Sequence, residues 1–264
     1  MKVGIVAGES SGDTLGAALI TALKARVPGT ECFGVAGPKM IAAGCEAWAS
    51  SEELAVMGFT EPLMRLPRLL RLRSMLTSRF SALRPDVFVG IDSPAFNLGL
   101  EQRLKAQGLK TVQYVSPQVW AWRQGRVRTI HKSCDLVLCL LPFETDFYAQ
   151  HGVKAVFVGH PLADQIPLEI DRTAARRELG IQGLDASSLV VALLPGSRMG
   201  EVERLGGDFA AAAAWIASRR PAARFLAPMA SARVRAAFER RIAALPGVPE
   251  ITLLDGQAQR ALAM

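Results

Sequence analysis

The segment KVGIVAGESSGDTLGAALITALKARV, residues 2–27, decides the fold class of this chain. A short apolar run is followed by a glycine-bracketed turn and then by apolar residues at helical spacing, which predicts a strand, a turn and a helix. In α/β proteins such a turn commonly holds a nucleotide phosphate at the helix N-terminus. This turn carries two carboxylates, Glu9 and Asp13, and lacks a Gly-x-Gly-x-x-Gly pattern. We therefore expect a nucleotide to bind elsewhere in the chain.

Further apolar runs rich in β-branched residues recur along the chain, with helical stretches between them. The runs are nearly continuous in hydrophobicity, which is typical of strands buried on both faces of a parallel sheet. They cover residues 31–37, 86–92, 110–116, 135–142 and 155–161. The pattern predicts an α/β fold with a doubly wound, Rossmann-like sheet of six strands, and functional loops at the carboxyl ends of these strands.

A second unit begins near Leu189. It contains three more strand-like runs, LVVALLPGSR, RFLAPMA and ITLLDG, separated by two segments with helical spacing. We expect two Rossmann-like domains with a cleft between them, the first at residues 1–167 and the second at residues 185–264. Because a doubly wound sheet usually has about five or six strands, we also expect the second domain to be incomplete and the chain to be a fragment.

The composition indicates a globular protein and leaves its partners open. Hydrophobic residues make up 50% of the 264 residues and charged residues 21%, unlike a disordered chain. The net charge of +7 suits nucleic acid, a membrane surface or a phosphorylated substrate, and equally solubility alone. Four cysteines without C-x-x-C spacing are expected to be reduced core thiols of a cytosolic protein. We expect no signal peptide, and no apolar run is long enough to predict a membrane span.

Eight segments spread from residue 7 to residue 205 carry a family resemblance. They are AGESSGD, CEAW, EELAVMGFTE, PDVFVGID, YVSPQVWAWRQGRV, LVLCLLPFE, FVGHPLAD and LLPGSRMGEVERL. Together they resemble the lipid-A-disaccharide synthase family of bacterial glycosyltransferases, which has the two-domain GT-B fold. The resemblance covers the whole chain but ends before the family does.

The resemblance implies a reaction and a location. The family transfers the sugar of UDP-2,3-diacylglucosamine to 2,3-diacylglucosamine 1-phosphate with inversion, forming a β-1,6-linked disaccharide and UDP in lipid A biosynthesis. The first domain would bind the acceptor and the second the sugar nucleotide, with no cofactor and no nucleic acid, in the cytoplasm at the inner face of the cytoplasmic membrane. Two alternatives stay open: another UDP-sugar-dependent GT-B enzyme, such as an epimerase, and an inactive fragment that binds lipid or acceptor.

The motif GIDSPAFN, residues 90–97, supplies the candidate catalytic residue. Asp92 follows a predicted strand, and the resemblance implies that it takes the proton from the attacking hydroxyl. The alternative is a loop aspartate that caps a turn. The family commonly has a second acid where this chain has Ala95, so we expect Asp92 to be more acidic and a weaker base here. Asn97 is expected to bind substrate.

The acids of the first turn are candidates for contact with the acceptor sugar. Carboxylates accept hydrogen bonds from sugar hydroxyls, so Glu9 and Ser11 are expected to bind substrate. The structural alternative is that Asp13 caps the helix that it begins and that Ser11 does the same.

The segment YVSPQVWAWRQGRVRTIHK, residues 114–132, interleaves aromatic and basic residues. Aromatic faces stack on sugar rings and arginines bind phosphate, which makes Gln118, Trp120 and Arg123 candidate contacts for the sugar 1-phosphate, with Trp122 beside them. One alternative is a pair of packed tryptophans followed by a solvated basic helix. Nucleic-acid binding is another, for which basic residues without a known binding module are weak support.

The turn LLPGSR, residues 193–198, is the better candidate for a nucleotide phosphate because it carries no acid. The backbone N–H groups of Gly196 and Ser197, with Arg198, suit a diphosphate; the alternative is a structural Pro-Gly turn. His160, at the end of the sixth predicted strand, is expected to position a hydroxyl or phosphate, or else to be a packed histidine. The remaining histidines lack partners at ligand spacing, so no metal site is expected.

The segment PLMRLPRLLRLRSML, residues 62–76, has leucines on one helical face and arginines on another. This pattern is typical of an interfacial helix on anionic lipid, and also of an ordinary amphipathic helix that covers a sheet. Because the implied substrates carry acyl chains, we expect membrane docking. The residues involved are Leu66, Leu69, Leu70, Arg65, Arg68 and Arg71.

Overall fold

The computed structural model describes residues 1–55, 62–180 and 188–263, but not the side chains of residues 55 and 62–65. The side chain of Arg65, a predicted membrane residue, is therefore not described. Residues 56–61 of the EELAVMGFTE motif and position 185, the expected start of the second domain, also lie outside the described residues. The chain forms two compact units, Met1–Gln165 and Ile166–Met264.

Parallel strands form one sheet in the first unit. Over the described residues there are seven of them: β1 Lys2–Ala7, β2 Glu31–Ala36, β3 Cys45–Ser50, β4 Val87–Ile91, β5 Thr111–Tyr114, β6 Leu136–Cys139 and β7 Ala155–Phe157. Their spatial order is β3-β2-β1-β4-β5-β6-β7. Strands β1 and β4 are therefore neighbours, and the winding direction reverses between them. Such a switch point is where doubly wound sheets bind ligands, outside the carboxyl ends of the strands.

Helices connect the strands of the first unit. They are α1 Glu9–Arg26, α2 Pro38–Ala42, α3 Glu52–Ala55, α4 Pro62–Leu83, α5 Pro94–Ala106, α6 Val127–Ser133, α7 Glu144–Gln150 and α8 Leu162–Gln165, with a short 3-10 helix at Gln124–Arg126.

The core of the first unit lies on both faces of the sheet. Ile5 of β1 packs into a cluster with Ile20 of α1. Val6, the next residue of β1, packs into the opposite cluster with Phe80 of α4 and Leu100 of α5. Because successive side chains of a strand point to opposite faces, β1 needs apolar residues at nearly every position. This explains why the continuous apolar runs predicted the central strands.

The two edge strands differ from the prediction. Strand β3, with the sequence CEAWAS, is not among the predicted strands, because only Cys45 is fully buried and its other positions are partly or largely exposed. Strand β7 was predicted, but Val156 and Phe157 are each 48% exposed. The expectation that this run is buried on both faces is therefore wrong, since an edge strand packs against a neighbour on one side only.

The second unit has a smaller sheet. Its described residues form three parallel strands, β8 Val190–Ala192, β9 Arg224–Met229 and β10 Ile251–Asp255, in the order β10-β9-β8. The helices are α9 Arg172–Glu178, α10 Met199–Arg219, α11 Ala232–Ala243 and α12 Ala258–Leu262. Val202 of α10, Phe225 of β9 and Phe238 of α11 pack in one core cluster. The three predicted strands and the two predicted helices between them are present, which confirms the α/β class of this unit.

Candidate functional site

Two turns meet at the switch point of the first sheet. One follows β1 at Gly8 and Glu9, and the other follows β4 at Asp92 and Ser93. A Cβ atom added to Gly8 would collide with Oγ of Ser93, so the two turns approach each other closely. The acid of the first turn and the predicted base of the second thus belong to adjoining strands.

The backbone at this edge of the sheet is strained. Four non-glycine residues after neighbouring strands have positive φ: Glu9 (62°), Asp92 (50°), Ser93 (43°) and Val115 (76°). Positive φ is uncommon for any residue with a Cβ atom and is an outlier for a β-branched one such as Val115. Such strain persists only where surrounding contacts hold it, and it concentrates at functional sites. The strain marks the carboxyl ends of β1, β4 and β5 as the candidate site.

Two buried amides hold the turn of Asp92. Nδ2 of Asn97 donates to the carbonyl oxygen of Asp92 at 2.9 Å, and Nε2 of Gln113 donates to the same oxygen at 3.2 Å. The backbone N–H of Asp92 donates to the carbonyl of Tyr114 at 2.8 Å. The carboxyl group of the half-buried Asp92 is thereby attached to a main chain that is fixed from both sides.

Asn97 occupies a different position from the one expected. It is 0% exposed, and its Nδ2 also lies within 3.3–3.4 Å of the carbonyl oxygens of Ile91 and Val6. A completely buried amide engaged by main-chain carbonyls cannot contact a substrate directly, so the expectation that Asn97 binds substrate is corrected to a supporting role for the Asp92 turn. Gln113 was missed by the sequence analysis, although a lone polar residue in the buried run TVQYV is a usable signal.

Asp13 caps a helix, but not the one that it was expected to cap. It is 4% exposed and accepts hydrogen bonds from the backbone N–H groups of Lys39 (3.0 Å) and Met40 (2.9 Å), at the start of α2. The N-cap position of its own helix is Gly8. The alternative in which Asp13 and Ser11 cap α1 is therefore wrong: Asp13 joins α1 to α2, and Ser11 is an exposed residue of the first turn of α1. Glu9, half-buried, is the first residue of that helix.

The segment after β5 contains one anchored and one exposed tryptophan. Nε1 of Trp120 donates to Oε1 of the buried Glu144 at 3.1 Å, and its ring meets the ring of Phe143 edge-on at 4.8 Å. Trp122 is 59% exposed, and the guanidinium carbon of Arg123 lies 4.6 Å from its ring centre. Gln118 is exposed as well. Trp122 and Arg123 therefore place an accessible aromatic ring beside a cation.

His160 follows β7 in a half-buried position. Its Nδ1 accepts a hydrogen bond from the backbone N–H of Leu162 at 3.1 Å, at the start of α8. Because Nδ1 acts as an acceptor, the ring proton resides on Nε2. The ring therefore offers an N–H donor on its other side.

The predicted phosphate turn of the second unit holds a carboxylate of the protein itself. Oε2 of Glu201 accepts from the backbone N–H groups of Ser197 (2.9 Å) and Arg198 (3.0 Å), and Oε1 accepts from Nη1 of Arg198 at 3.3 Å. Gly196 has φ of 134°, and a Cβ atom there would collide with Glu201. These hydrogen bonds, chiefly the one from the backbone of Arg198, lower the pKa of Glu201. The turn itself carries no acid, as expected, but α10 brings the carboxylate of Glu201 to it.

The three leucines predicted to dock on the membrane lie on different faces of helix α4. Leu66 is 49% exposed and Leu70 is 46% exposed, whereas Leu69 is partly buried against the core cluster of the sheet. Arg68 forms an ion pair with Glu53 (Nη2 to Oε2, 3.3 Å), and Arg71 is exposed. The expectation that three leucines share an outer face is corrected to two.

The described residues contain neither a metal-binding group of side chains nor a membrane-spanning helix. In that part of the chain, no group of three or more His, Cys, Asp or Glu side chains could hold a metal ion. No helix there is both long enough and apolar enough to cross a membrane. All four cysteines are buried and free, and burial raises the pKa of the thiols of Cys45, Cys134 and Cys139 to about 12.

Known proteins resemble this chain in sequence. A family model described as lipid-A-disaccharide synthetase matches residues 3–264. The lipid-A-disaccharide synthases of Serratia proteamaculans and Klebsiella pneumoniae are 52% and 53% identical to it over 262 residues, which is 99% of this chain and 68% of each relative. The chain therefore spans about two thirds of the length of these relatives.

A solved structure agrees with the fold. UDP-GlcNAc 2-epimerase from Neisseria meningitidis, bound to UDP-GlcNAc, matches 100% of this chain and 74% of its own, with a TM-score of 0.67 and 13% sequence identity. At this identity the likeness concerns the fold alone, which agrees with the GT-B architecture. The family rests on the sequence match, which covers nearly every residue: the chain belongs to the lipid-A-disaccharide synthetase family of glycosyltransferases.

Proposed function

We propose that the chain serves glycosyl transfer from UDP-2,3-diacylglucosamine to 2,3-diacylglucosamine 1-phosphate, with Asp92 as the general base. The acceptor hydroxyl forms a bond to the anomeric carbon of the donor, the bond from that carbon to UDP breaks, and the hydroxyl proton passes to the Asp92 carboxylate. The observation that carries the proposal is the position of Asp92, on a strained turn at the switch point that two buried amides hold. A fixed base limits the motion needed to reach attack geometry.

The acceptor is assigned to the surface around this turn. Trp122 offers a ring face for the sugar, and Arg123 offers a planar cation for the 1-phosphate. Gln118, Glu9 and Ser11 supply polar atoms for sugar hydroxyls. Trp120 supports the segment through its bond to Glu144, and His160 contributes its Nε2 proton as a donor. This assignment is supported by the exposure of Trp122, Arg123 and Gln118 and by the ability of their side chains to bind sugar and phosphate.

The donor diphosphate is assigned to the turn of Gly196, Ser197 and Arg198. The carboxylate of Glu201 accepts hydrogen bonds from the N–H groups that a phosphate would use. Carboxylate and phosphate alike present a negatively charged oxygen to the start of a helix. Binding therefore requires the Glu201 carboxylate to move aside. Because Glu201 is partly exposed (39% of its side chain), it can rotate into solvent without leaving a buried charge.

Helix α4 is assigned to an anionic membrane surface at the inner face of the cytoplasmic membrane, where the protein would bind peripherally. Leu66 and Leu70 form a small apolar face on one side of the helix, and Arg71 lies at the level where lipid headgroups would be. The acyl chains of both substrates favour a protein that works at the lipid surface, because transferring these chains through water is costly.

Acceptor binding tests this assignment directly. We expect Arg123→Ala to weaken binding of 2,3-diacylglucosamine 1-phosphate by about tenfold or more, the value of a charged hydrogen bond of about 1.5–3 kcal/mol. The matched control is Arg128→Ala, an exposed arginine of α6 in the same basic segment. Titration of the protein with acceptor in detergent gives both affinities. Equal affinities for the two variants would contradict the assignment of the 1-phosphate to Arg123.

A further inference from the structure

A cluster of buried polar side chains lies beneath the Asp92 turn. Asn97, Glu101 and Gln113 are each 0% exposed. Asn97 and Glu101 are one helical turn apart on α5, and Gln113 of β5 pairs in register with Gly90 of β4. A Cβ atom added to Gly90 would collide with Oε1 of Glu101 and lie 2.9 Å from Cβ of Asn97. The missing side chain of Gly90 thus makes the space that Glu101 and Asn97 occupy, with Gln113 beside it on the paired strand.

Acceptor atoms outnumber donors in this cluster. The amide nitrogens of Asn97 and Gln113 are engaged by main-chain carbonyls of the Asp92 turn. Within the described part of the chain, hydrogen-bond partners are lacking for Oδ1 of Asn97, Oε1 of Gln113 and both carboxyl oxygens of Glu101. A buried polar atom without a partner costs about 1–3 kcal/mol. Four oxygens of Asn97, Gln113 and Glu101 thus lack a donor.

The charged groups near Glu101 are engaged elsewhere. Lys105, one turn further along α5, donates from Nζ to the carbonyl oxygens of Cys134 (2.7 Å) and His131 (3.1 Å) and pairs with Oδ1 of Asp135 (3.2 Å). Cys134, the titratable group facing Glu101 from the end of α6, has a thiol whose pKa burial raises to about 12, so it stays uncharged. An ionised carboxylate at Glu101 would therefore be buried without an ion-pair partner among the described residues.

We propose that Glu101 is kept as a neutral carboxylic acid whose O–H donates to the amide oxygens of Asn97 or Gln113. This bond fixes the amide that accepts it with its NH₂ group toward the carbonyl of Asp92. Glu101 is thus a positioning residue, acting on Asp92 through that amide. The protonated state of Glu101 is inferred from the buried cluster alone. Only its effect on turnover rests on the proposed function of Asp92 as the general base.

The direction of the expected pH dependence follows from burial. Burial raises the pKa of Glu101 well above its ordinary value, with Lys105 opposing the shift. In the unfolded chain a glutamate ionises near about pH 4.3. The contribution of Glu101 to stability is therefore fully present below that pH, is lost as pH rises toward the folded-state pKa, and stays constant above it. Ionisation would also turn the amides away from Asp92, since a carboxylate repels their oxygens.

The test compares Glu101→Gln with wild type, because glutamine has nearly the same shape and keeps an N–H donor at every pH. In infrared spectra at neutral pH, we expect wild type to show the carbonyl stretch of a buried protonated carboxylic acid and Glu101→Gln to lose it. Glu31→Gln, an exposed glutamate of the same unit, is the matched control and should keep the band. The fall of Tm with rising pH above about pH 4.3 should be smaller in Glu101→Gln than in wild type.

A wild-type protein without the band, or a Glu101→Gln variant with the wild-type pH dependence of Tm, would overturn the inference. Asp92→Asn separates this inference from the proposed function. That variant should keep the band, whatever it does to transfer. If wild type shows the band but Asp92→Asn leaves turnover unchanged, the inference of a protonated Glu101 is supported and the proposed catalytic role of Asp92 is contradicted.

Discussion

Replacing the two exposed leucines of α4 with serine tests whether the protein docks on membranes. Leu66 and Leu70 lie one helical turn apart and are 49% and 46% exposed. Full burial of a leucine side chain is worth about 1.5–3 kcal/mol, so covering the exposed half of each gives about 0.7–1.5 kcal/mol per residue. The pair contributes about 1.5–3 kcal/mol, which corresponds to about a tenfold to hundredfold change in the partition coefficient.

Co-sedimentation with anionic vesicles measures this partition. We expect Leu66→Ser with Leu70→Ser to lower it by that factor without lowering Tm. Leu205→Ser, which removes an exposed leucine (41%) from the second unit, is the matched control and should leave partition unchanged. Leu69→Ser should instead lower Tm, because Leu69 packs against the core.

Salt separates the two forces at this surface. Arginine contributes about 1 kcal/mol near an anionic membrane, a contribution that salt screens. Arg68 is paired with Glu53, so Arg71 should account for more of the salt-sensitive part. Partition of the double serine variant equal to that of wild type at every salt concentration would refute membrane docking by α4 and leave it as an amphipathic cover of the sheet.

The remaining predictions concern the two acids that bind helix starts. Asp13→Ala should lower the free energy of unfolding by about 3 kcal/mol, measured by urea denaturation, because two N–H groups of α2 lose a charged acceptor; a change below about 0.5 kcal/mol would contradict the cap. The lowered pKa of Glu201 gives stability above about pH 4.3 that is lost as pH falls through the folded-state pKa, so Glu201→Gln should flatten the acid limb of Tm against pH, and an unchanged limb would argue against these hydrogen bonds.

The central strands were predictable because their sequences carry the burial pattern. β1 and β4 face core on both sides, so nearly every position is apolar and the runs stand out. Strand β3 has exposed positions and a glutamate, Glu46, within it, and local sequence alone does not distinguish it from a loop. An edge strand has a neighbouring strand on one side only, and this depends on how the whole sheet is assembled and not on the local sequence.

The site was predictable only where function lies on the turns themselves. Asp92 was proposed chiefly on the family resemblance, together with its place after a buried strand, whereas the support from Gln113 depends on two strands pairing in register. Asp13 reaches a helix that begins 25 positions later, at Pro38, a contact that appears only when α1 packs against α2. The capping box of Glu201 was not predictable from the sequence, because its N-cap residue is Arg198 and not one of the usual Ser, Thr, Asp or Asn.

The role of Asp92 as general base is tested most directly by turnover. The chain joined to the carboxyl-terminal third of the Serratia proteamaculans relative, to which it is 52% identical, gives a protein of family length in which labelled UDP-2,3-diacylglucosamine can be followed into disaccharide. We predict that Asp92→Asn lowers kcat by about a hundredfold or more, as loss of a general base does, with acceptor affinity nearly unchanged. A rate within about threefold of the unsubstituted protein, well inside that range, would contradict the account.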